Sequence, residues 1–317
     1  MPLTAIPLGP FDLLEPLAQG GMGEVWRAVH RRQQLEVAAK VITANIARNP
    51  QFQRLLSAEV RSMARMRHPN IVVVLDSAVV GPHAQANSSG RLIAGSPAYV
   101  MELGHGTLRD VMQRGLMPWP DVRGILLQLL DALAHAHARG VVHQDLKPAN
   151  ILRFPNPHAP DQFKLADFGI AQVANEQHYM TGGTPQFMAP EQVIGSALDV
   201  GPWTDLYAIG CLTWELTTGE PVFPRGDVHR TLQAHRSQLP PPFEPQTSVP
   251  AGLEAWLLTL LAKGHRDRFA CAADAAWALN GLPEATSVPR QRDVPLRSRS
   301  KTVTHSFILT DLPQSPS

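Results

Sequence analysis

Two short polar motifs, each directly after an apolar run, constrain this chain more than any other feature of its sequence. The first occupies residues 143–150, His-Gln-Asp-Leu-Lys-Pro-Ala-Asn, and the second residues 167–169, Asp-Phe-Gly. Residues 141–142, 151–152 and 163–166 are apolar enough to form short strands beside these motifs. Because catalytic groups usually lie on loops carried by a rigid scaffold, this alternation indicates a functional site.

The residue types in these motifs suit the transfer of a phosphoryl group from ATP, a reaction that needs positioning and charge neutralisation more than covalent chemistry. Asp145 is the candidate for the group that orients the attacking hydroxyl and takes up its proton. Lys147 is the candidate cation for the γ-phosphate, and Asn150 and Asp167 supply hard oxygen ligands for Mg²⁺. An isolated His-x-Asp sequence is more often a turn or a helix cap, but that alternative does not explain the whole set.

With these motifs the chain resembles a eukaryotic-like, bacterial-type serine/threonine protein kinase over about residues 11–282. The resemblance implies an α+β fold of two lobes, with a small β-rich N-lobe at about 11–101 and a larger, mainly helical C-lobe at about 105–282. Residues 1–10 would then be a lead-in. Residues 283–317 are rich in Pro, Ser, Thr and basic side chains, which predicts a flexible tail.

Residues 18–25, Ala-Gln-Gly-Gly-Met-Gly-Glu-Val, resemble the family's glycine-rich loop, whose backbone N–H groups lie over the ATP phosphates. A plain hairpin turn is the alternative, and Ala18 stands where the family has a glycine. Residues 37–40, Val-Ala-Ala-Lys, match the family's third-strand motif, so Lys40 would contact the α- and β-phosphates. The resemblance therefore implies nucleotide contacts from this loop at Ala18, Gly20, Gly21, Gly23 and Val25.

A helix is predicted to start after Asn49, which suits the N-cap position, with Pro50 as the first helical residue. Apolar residues recur along one face of this helix: Phe52, Leu56, Met63 and Met66. Glu59 lies in the middle of that face and needs a cation unless its carboxylate reaches solvent at the edge. The resemblance supplies Lys40, with which a glutamate of this helix forms a salt bridge in the active state.

Residues 98–103, Ala-Tyr-Val-Met-Glu-Leu, have the pattern of a buried strand that runs into a turn, and they match the hinge of the family. Met101 would guard the back of the adenine pocket, and the backbone of Glu102 and Leu103 would hydrogen-bond to the adenine edge. Three apolar residues would enclose the ring, although ordinary core packing explains them equally well: Val25, Ala38 and Leu152.

Residues 183–191 resemble the end of the activation segment and indicate the acceptor. Kinases that act on serine and threonine carry a lysine where this chain has Lys147 and a threonine where it has Thr184, and the two cradle the acceptor hydroxyl. Two structural supports are also implied by the resemblance. Glu191 would pair with Arg268, and Asp205 would brace the backbone of the catalytic loop.

Gln144 departs from the family. At this position most members have an arginine, which binds a phosphate carried by the activation segment. Residues 170–190 contain no lysine or arginine that would compensate. We hypothesise that activity does not depend on phosphorylation of Thr181 or Thr184.

Two further patterns concern the scaffold. Apolar residues at helical spacing predict a helix from about Asp121 to Arg139 that ends at Gly140. Two irregular stretches, 81–97 and 154–161, are predicted to be surface loops between strands.

The overall composition excludes several classes of partner. A net charge of +1 gives no electrostatic case for nucleic acid or a membrane surface as the main partner. No apolar run reaches the roughly 18 to 20 residues needed to span a bilayer, and residues 1–10 lack the charged start of a secretory signal. The two cysteines, Cys211 and Cys271, indicate a reducing compartment, and a cytoplasmic location is predicted.

The sequence thus predicts an enzyme that uses ATP and Mg²⁺, with Mn²⁺ as the alternative ion, to phosphorylate Ser/Thr hydroxyls on a protein substrate. Autophosphorylation and a signalling role are expected, and self-association is left open. The alternative is a pseudokinase-like scaffold or regulatory binding module, which would be favoured by loss of Lys40, Asp145, Asn150 or Asp167; all four are present. A small-molecule kinase is disfavoured by the match at 184–191.

Overall fold

A six-stranded antiparallel sheet forms the N-lobe in the computed structural model of this chain, which describes residues 5–20, 23–43, 49–168, 185–195, 197–223 and 226–284. In chain order the strands are β1 (Ile6–Leu8), β2 (Phe11–Gly20), β3 (Gly23–His30), β4 (Glu36–Ile42), β5 (Val74–Val79) and β6 (Pro97–Glu102). Their spatial order is β1-β2-β3-β4-β6-β5. Helix α1 (Pro50–Arg65) lies between β4 and β5 in the chain, and the short α2 (Pro82–Asn87) lies between β5 and β6.

The C-lobe is mainly helical and carries one two-stranded ribbon, β7 (Ile151–Phe154) with β8 (Gln162–Leu165). Its helices are α3 (Leu108–Met112), α4 (Trp119–His137), α5 (Pro190–Ile194), α6 (Pro202–Thr218), α7 (Val228–Ser237), α8 (Leu253–Leu260) and α9 (Ala272–Asn280). The predicted two-lobed α+β fold is therefore confirmed. No helix within the described ranges is long and apolar enough to cross a membrane.

The two helices predicted from periodicity are present. In α1 the side chain of Asn49 accepts a hydrogen bond from the backbone N–H of Phe52, which caps the helix as expected. Its four predicted apolar positions are all buried. Helix α4 begins and ends two residues earlier than predicted, and Gly140 follows it with φ +74°, a conformation that glycine adopts readily. Its buried face joins the core that runs through both lobes.

The outer face of the N-lobe sheet has a separate apolar core, to which the stretch 81–97 contributes. That stretch lies between strands, but it is more than a loop: it contains α2, and Ala84 and Leu92 are buried against the sheet. Strand β1 buries Ile6 and Leu8 in the same cluster, so residues within the predicted lead-in are part of the sheet. An apolar outer sheet face needs a cover, and these two segments provide it.

The covering stretch is also fixed by a polar contact. The guanidinium of Arg91 lies 5.2 Å from the centre of the Trp26 ring and forms an ion pair with Glu24 at 3.1 Å. Glu24 is buried and belongs to β3, one residue beyond the last glycine of the predicted phosphate loop. The other irregular stretch, 154–161, begins at the last residue of β7 and runs as an exposed connection towards β8, as predicted.

One buried ion pair ties the start of α5 to the chain before α9. Nη1 of Arg268 lies 2.8 Å from Oε1 of Glu191, and Nη2 donates to Oε2 at 2.9 Å, so the pair is bidentate. Thr204 of α6 donates to the same carboxylate at 2.8 Å. The pair predicted between Glu191 and Arg268 is therefore confirmed.

Replacing Leu92 with alanine should lower the free energy of unfolding by about 2–5 kcal/mol, because it removes a buried side chain and leaves a cavity. Urea denaturation measures this change. Leu239→Ala is the control, since Leu239 is 81% exposed, and it should alter stability by less than about 0.5 kcal/mol. Similar small changes in both variants would mean that residues 81–97 are not anchored to the sheet.

Replacing Glu191 with glutamine should destabilise the protein by about 3–5 kcal/mol, because it leaves the buried charge of Arg268 without an anion. The matched control is Glu36→Gln, which removes an ion pair of the same 2.8 Å length to Arg27 at a site where the Glu36 side chain is 57% exposed. That change should cost no more than about 1 kcal/mol. Equal losses in the two denaturation curves would contradict the importance of burial for this pair.

Candidate active site

The catalytic-loop residues predicted from the sequence lie together and are bonded to one another. Lys147 Nζ is 2.6 Å from Oδ2 of Asp145. Asn150 Nδ2 donates to the same oxygen at 3.0 Å and to the Asp145 carbonyl at 2.8 Å. The carboxylate of Asp145 is thus held between a cation and an amide, while its side chain keeps some access to solvent.

The carboxylate of Asp205 in α6 braces the backbone of the catalytic loop, as predicted. The backbone N–H groups of His143 and Gln144 donate to its two carboxylate oxygens, each at 2.8 Å. His137 of α4 contacts the same carboxylate through Nε2 at 2.8 Å. Gln144 has φ +65°, a strained value for a residue with a side chain, and these bonds hold it there. Its carbonyl also accepts a bond from Gln192 of α5 at 2.8 Å.

Hydrogen bonds connect the catalytic loop to the second motif. His143 Nε2 is 2.9 Å from the carbonyl oxygen of Ala166, and the Ala166 N–H donates to the carbonyl of Asn150 at 2.9 Å. Phe168 is buried, with its ring centre 4.6 Å from that of His143. These contacts fix Asp167, the residue between Ala166 and Phe168, beside the catalytic loop.

Asp167 of the C-lobe is bonded to two residues of the N-lobe. Lys40 Nζ of β4 is 2.6 Å from its Oδ2, and the hydroxyl of Tyr99 on β6 donates to its Oδ1 at 2.5 Å. Burial alone would raise the pKa of Asp167, but the charge and hydrogen bond of Lys40, the Tyr99 hydroxyl and the electrostatic contribution of His143 together hold this pKa below its ordinary value. Asp167 is therefore an anion at neutral pH.

The predicted partner of Lys40 was Glu59. Glu59 belongs to α1, but its side chain lies outside the described part of the structure, and the partner that the structure gives Lys40 is Asp167. Two more predicted residues, Gly21 and Thr184, also lie outside the described ranges. Their roles stay predictions.

The glycine-rich segment forms the end of the β2–β3 hairpin. Ala18 pairs with Val25, and Gly20 pairs with Gly23. A side chain on Gly23 would place its Cβ 2.0 Å from the carbonyl oxygen of Val41, so glycine is required there by the neighbouring strand. Among the described residues, no atom lies within 4 Å of the position where a Cβ on Gly20 would lie, and Ala18 is exposed.

The predicted adenine-pocket residues lie in the same apolar cluster, which includes Ala38 and Met101 with Val25, Leu103 and Leu152 packed against it. Ala38 and Met101 are directly opposite each other on β4 and β6. Apolar side chains contributed by both lobes provide the kind of surface that a flat aromatic ring prefers.

Glu102 is held through its side chain as well as its backbone. Its Oε1 accepts a bond from the Val73 N–H at 2.8 Å, and its Oε2 forms an ion pair with Lys164 of β8 at 2.7 Å. The Glu102 N–H donates to the Val73 carbonyl at 3.1 Å. This contact across the hinge was not predicted from the sequence. Glu102 and Lys164 are 62 positions apart and belong to separate sheets, so only the packing of the ribbon against the N-lobe sheet makes them neighbours.

The residues proposed to hold a metal ion fit a divalent cation with oxygen ligands. The amide nitrogen of Asn150 is used by Asp145, which leaves the amide oxygen for a cation, and Asp167 already holds a positive group against its carboxylate. Within the described ranges no cluster of three or more His, Cys, Asp or Glu side chains forms a complete metal site. Such a pair of ligands suits an ion whose other ligands come from phosphates and water.

A groove borders the catalytic loop on the C-lobe side. It has a volume of about 480 Å³ and is lined by residues that include Arg109, Met117, Pro148, Phe187 and Glu215. It runs between α3, the chain just before α5 and the end of α6.

The hydrogen bond of Tyr99 to Asp167 is a second contact that sequence reasoning missed. The alternation of a strand places Tyr99 on the same face as Met101, two residues later, and the register of the sheet places it opposite Lys40. The first of these signals is present in the sequence. The second depends on strand pairing, which a sequence alone does not give.

Comparison with known proteins agrees with this geometry. The model of the family described as "Protein kinase domain" matches residues 11–276. Serine/threonine-protein kinase Pkn1 of Myxococcus xanthus is 36% identical over 279 residues, a match covering 86% of this chain and 38% of that protein. Serine/threonine-protein kinase PknA of Mycobacterium tuberculosis is 33% identical over 299 residues, covering 92% of this chain and 65% of the relative.

The fold has a solved counterpart in the crystal structure of the PknI kinase domain of Mycobacterium tuberculosis. That structure has a TM-score of 0.66 and 26% sequence identity, and the alignment covers 87% of this chain and 97% of the other. The chain spans 38% to 65% of the length of the two curated relatives named above. The match to the family model covers most of the sequence, and this chain belongs to the protein kinase domain family.

Proposed function

We propose that this chain transfers the γ-phosphoryl group of ATP to serine and threonine hydroxyls of proteins, including its own. The observation that carries the proposal is the convergence of three separate segments on one place. Lys40 comes from β4, Asp145 and Lys147 from the loop before β7, and Asp167 from the end of β8, and hydrogen bonds link the two loop segments. Phosphoryl transfer needs this combination of one base, two cations and an oxygen ligand set.

Asp145 is the proposed base. Its carboxylate would orient the acceptor hydroxyl and take up its proton as the oxygen bonds to the γ-phosphorus and the bond from that phosphorus to the departing ADP breaks. Lys147, 2.6 Å from this carboxylate, would then stabilise the negative charge on the transferring group. Because Asp205 and Asn150 fix the loop before any substrate arrives, little reorganisation is left for the reaction itself.

Asn150 and Asp167 are the proposed ligands of a divalent cation, for which we propose Mg²⁺, with Mn²⁺ as the alternative. The bound ion would neutralise charge on the phosphates. Lys40 would exchange its contact with Asp167 for the α- and β-phosphates, and Glu59 remains its predicted partner in that state. The backbone N–H groups near Gly20 would cover the phosphates, with the adenine ring between Ala38 and Leu152.

The acceptor class is proposed from two observations. The groove of about 480 Å³ reaches Pro148, the residue after Lys147, so a polypeptide lying in it would present a side chain to Asp145. Relatives that match over most of this chain are named serine/threonine-protein kinases. A nucleotide-binding scaffold is the alternative, and it predicts nucleotide binding without transfer.

A reducing, cytoplasmic location is supported by the free cysteines Cys211 and Cys271.

Labelled Mg²⁺-ATP should transfer its γ-phosphate to the protein and to a generic Ser/Thr substrate, and Asp145→Asn should lower the rate by at least about 100-fold, since the amide cannot accept the proton. Acid hydrolysis would identify phosphoserine and phosphothreonine. ADP affinity, measured in parallel, should be similar in both proteins. Nucleotide binding without any transfer by the native protein would favour the scaffold.

Treatment with a phosphatase should leave the transfer rate within about twofold of the untreated value, because Gln144 offers no cation to a phosphate on the activation segment. Mass spectrometry confirms that Thr181 and Thr184 are unmodified after treatment. Thr181→Ala, which cannot be modified at that position, should behave as the treated protein does. A large gain in rate on phosphorylation at either threonine would contradict the hypothesis.

A further inference from the structure

Two donors from neighbouring strands share the carboxylate of Asp167. Lys40 and Tyr99 are directly opposite each other on β4 and β6, so their side chains leave the same face of the sheet. Lys40 Nζ contacts Oδ2 at 2.6 Å, and the Tyr99 hydroxyl donates to Oδ1 at 2.5 Å. Within the described part of the chain each oxygen therefore has one donor, and these two contacts fix the plane of the carboxylate.

The surroundings make the Tyr99 contact strong. The Tyr99 side chain is 1% exposed and packs among apolar residues such as Met63 and Val74. A hydrogen bond from a neutral hydroxyl to an ionised carboxylate is stronger in such a setting than in water. Asp167 also has φ +63°, a left-handed backbone value that persists when neighbouring contacts hold it.

The two donors differ in what happens when a nucleotide binds. Lys40 is the group that the proposed mechanism assigns to the phosphates, so its contact with Oδ2 would be exchanged. Tyr99 is uncharged and anchored in the sheet, and its bond to Oδ1 leaves Oδ2 available to a cation. Tyr99 would therefore continue to orient the carboxylate after Lys40 has turned to the phosphates.

We propose that Tyr99 is a positioning residue for phosphoryl transfer: its hydroxyl orients the Asp167 carboxylate for the divalent cation that accompanies ATP. The inference rests on the proposed function, since it assigns the cation to that site. Hydrogen-bond partners of metal-ligating side chains typically contribute about 10- to 100-fold in metal affinity or activity. A buried tyrosine with a purely structural hydroxyl would lack this effect.

The test compares Tyr99→Phe with Tyr207→Phe. Both changes remove one buried hydroxyl and keep the ring. The Tyr207 hydroxyl contacts His235 Nδ1 at 3.0 Å inside the C-lobe and lies outside the proposed site. For each protein the affinity for ADP is measured by equilibrium binding, first in EDTA and then in Mg²⁺, and thermal unfolding establishes that the variant is folded.

In Tyr99→Phe the gain in ADP affinity that Mg²⁺ produces should fall by about 10-fold, whereas affinity in EDTA should stay within about twofold of the native value. The Mg²⁺ concentration for half-maximal transfer should rise, and Tyr207→Phe should leave both quantities unchanged. If Tyr99→Phe does not fold, Tyr99→Met fills similar space without a donor and replaces it in the comparison.

An unchanged Mg²⁺ effect in Tyr99→Phe, or an equal loss in EDTA and in Mg²⁺, would overturn the inference and leave the proposed function intact. So would an equal change in Tyr207→Phe. A native protein whose ADP binding does not respond to Mg²⁺ would instead overturn the proposed site and this inference with it.

Discussion

The carboxylate of Asp205 is the anchor on which the geometry of the site depends. It is 1% exposed and accepts bonds from two successive backbone N–H groups of the catalytic loop, while a histidine of α4 contacts it from the side. Buried carboxylates are costly unless fully bonded, so the loop and Asp205 stabilise each other. The strained backbone of Gln144 is a direct result. Asp145 and Lys147 follow directly in the chain, so the contacts of Asp205 also fix their positions.

A second constraint joins the lobes. Asp167 lies two residues beyond the end of the C-lobe ribbon, whereas both donors to its carboxylate come from the N-lobe sheet. The charges of a nucleotide and its cation would enter at this junction. An ion pair that is exposed to water contributes little to stability. Here the side chain of Lys40 is only 13% exposed and that of Asp167 only 18%. The position of one lobe relative to the other therefore depends on which groups the Asp167 carboxylate binds.

Much of the fold and of the site could be predicted because the signals are local. The periodicity of α1 and α4, the N-cap at Asn49 and the spacing of Asp145, Lys147 and Asn150 all lie within short windows of the sequence. What could not be predicted depends on how segments far apart in the sequence pack together. The Tyr99–Asp167 and Glu102–Lys164 contacts join residues 68 and 62 positions apart. The stretch 81–97 has the composition of a loop, and its few buried residues acquire meaning only from the apolar sheet face that they cover.

The hinge contact has a consequence for ligands that would compete with ATP at the proposed site. The side chain of Glu102 accepts a hydrogen bond from the Val73 N–H and forms an ion pair with Lys164, so this hinge residue is held in place before any compound arrives. Ordering a flexible recognition edge normally reduces affinity, and an edge that is already rigid avoids that entropic loss. Compounds that match the existing shape of this edge would be favoured, whereas those that require the hinge to adjust would bind more weakly.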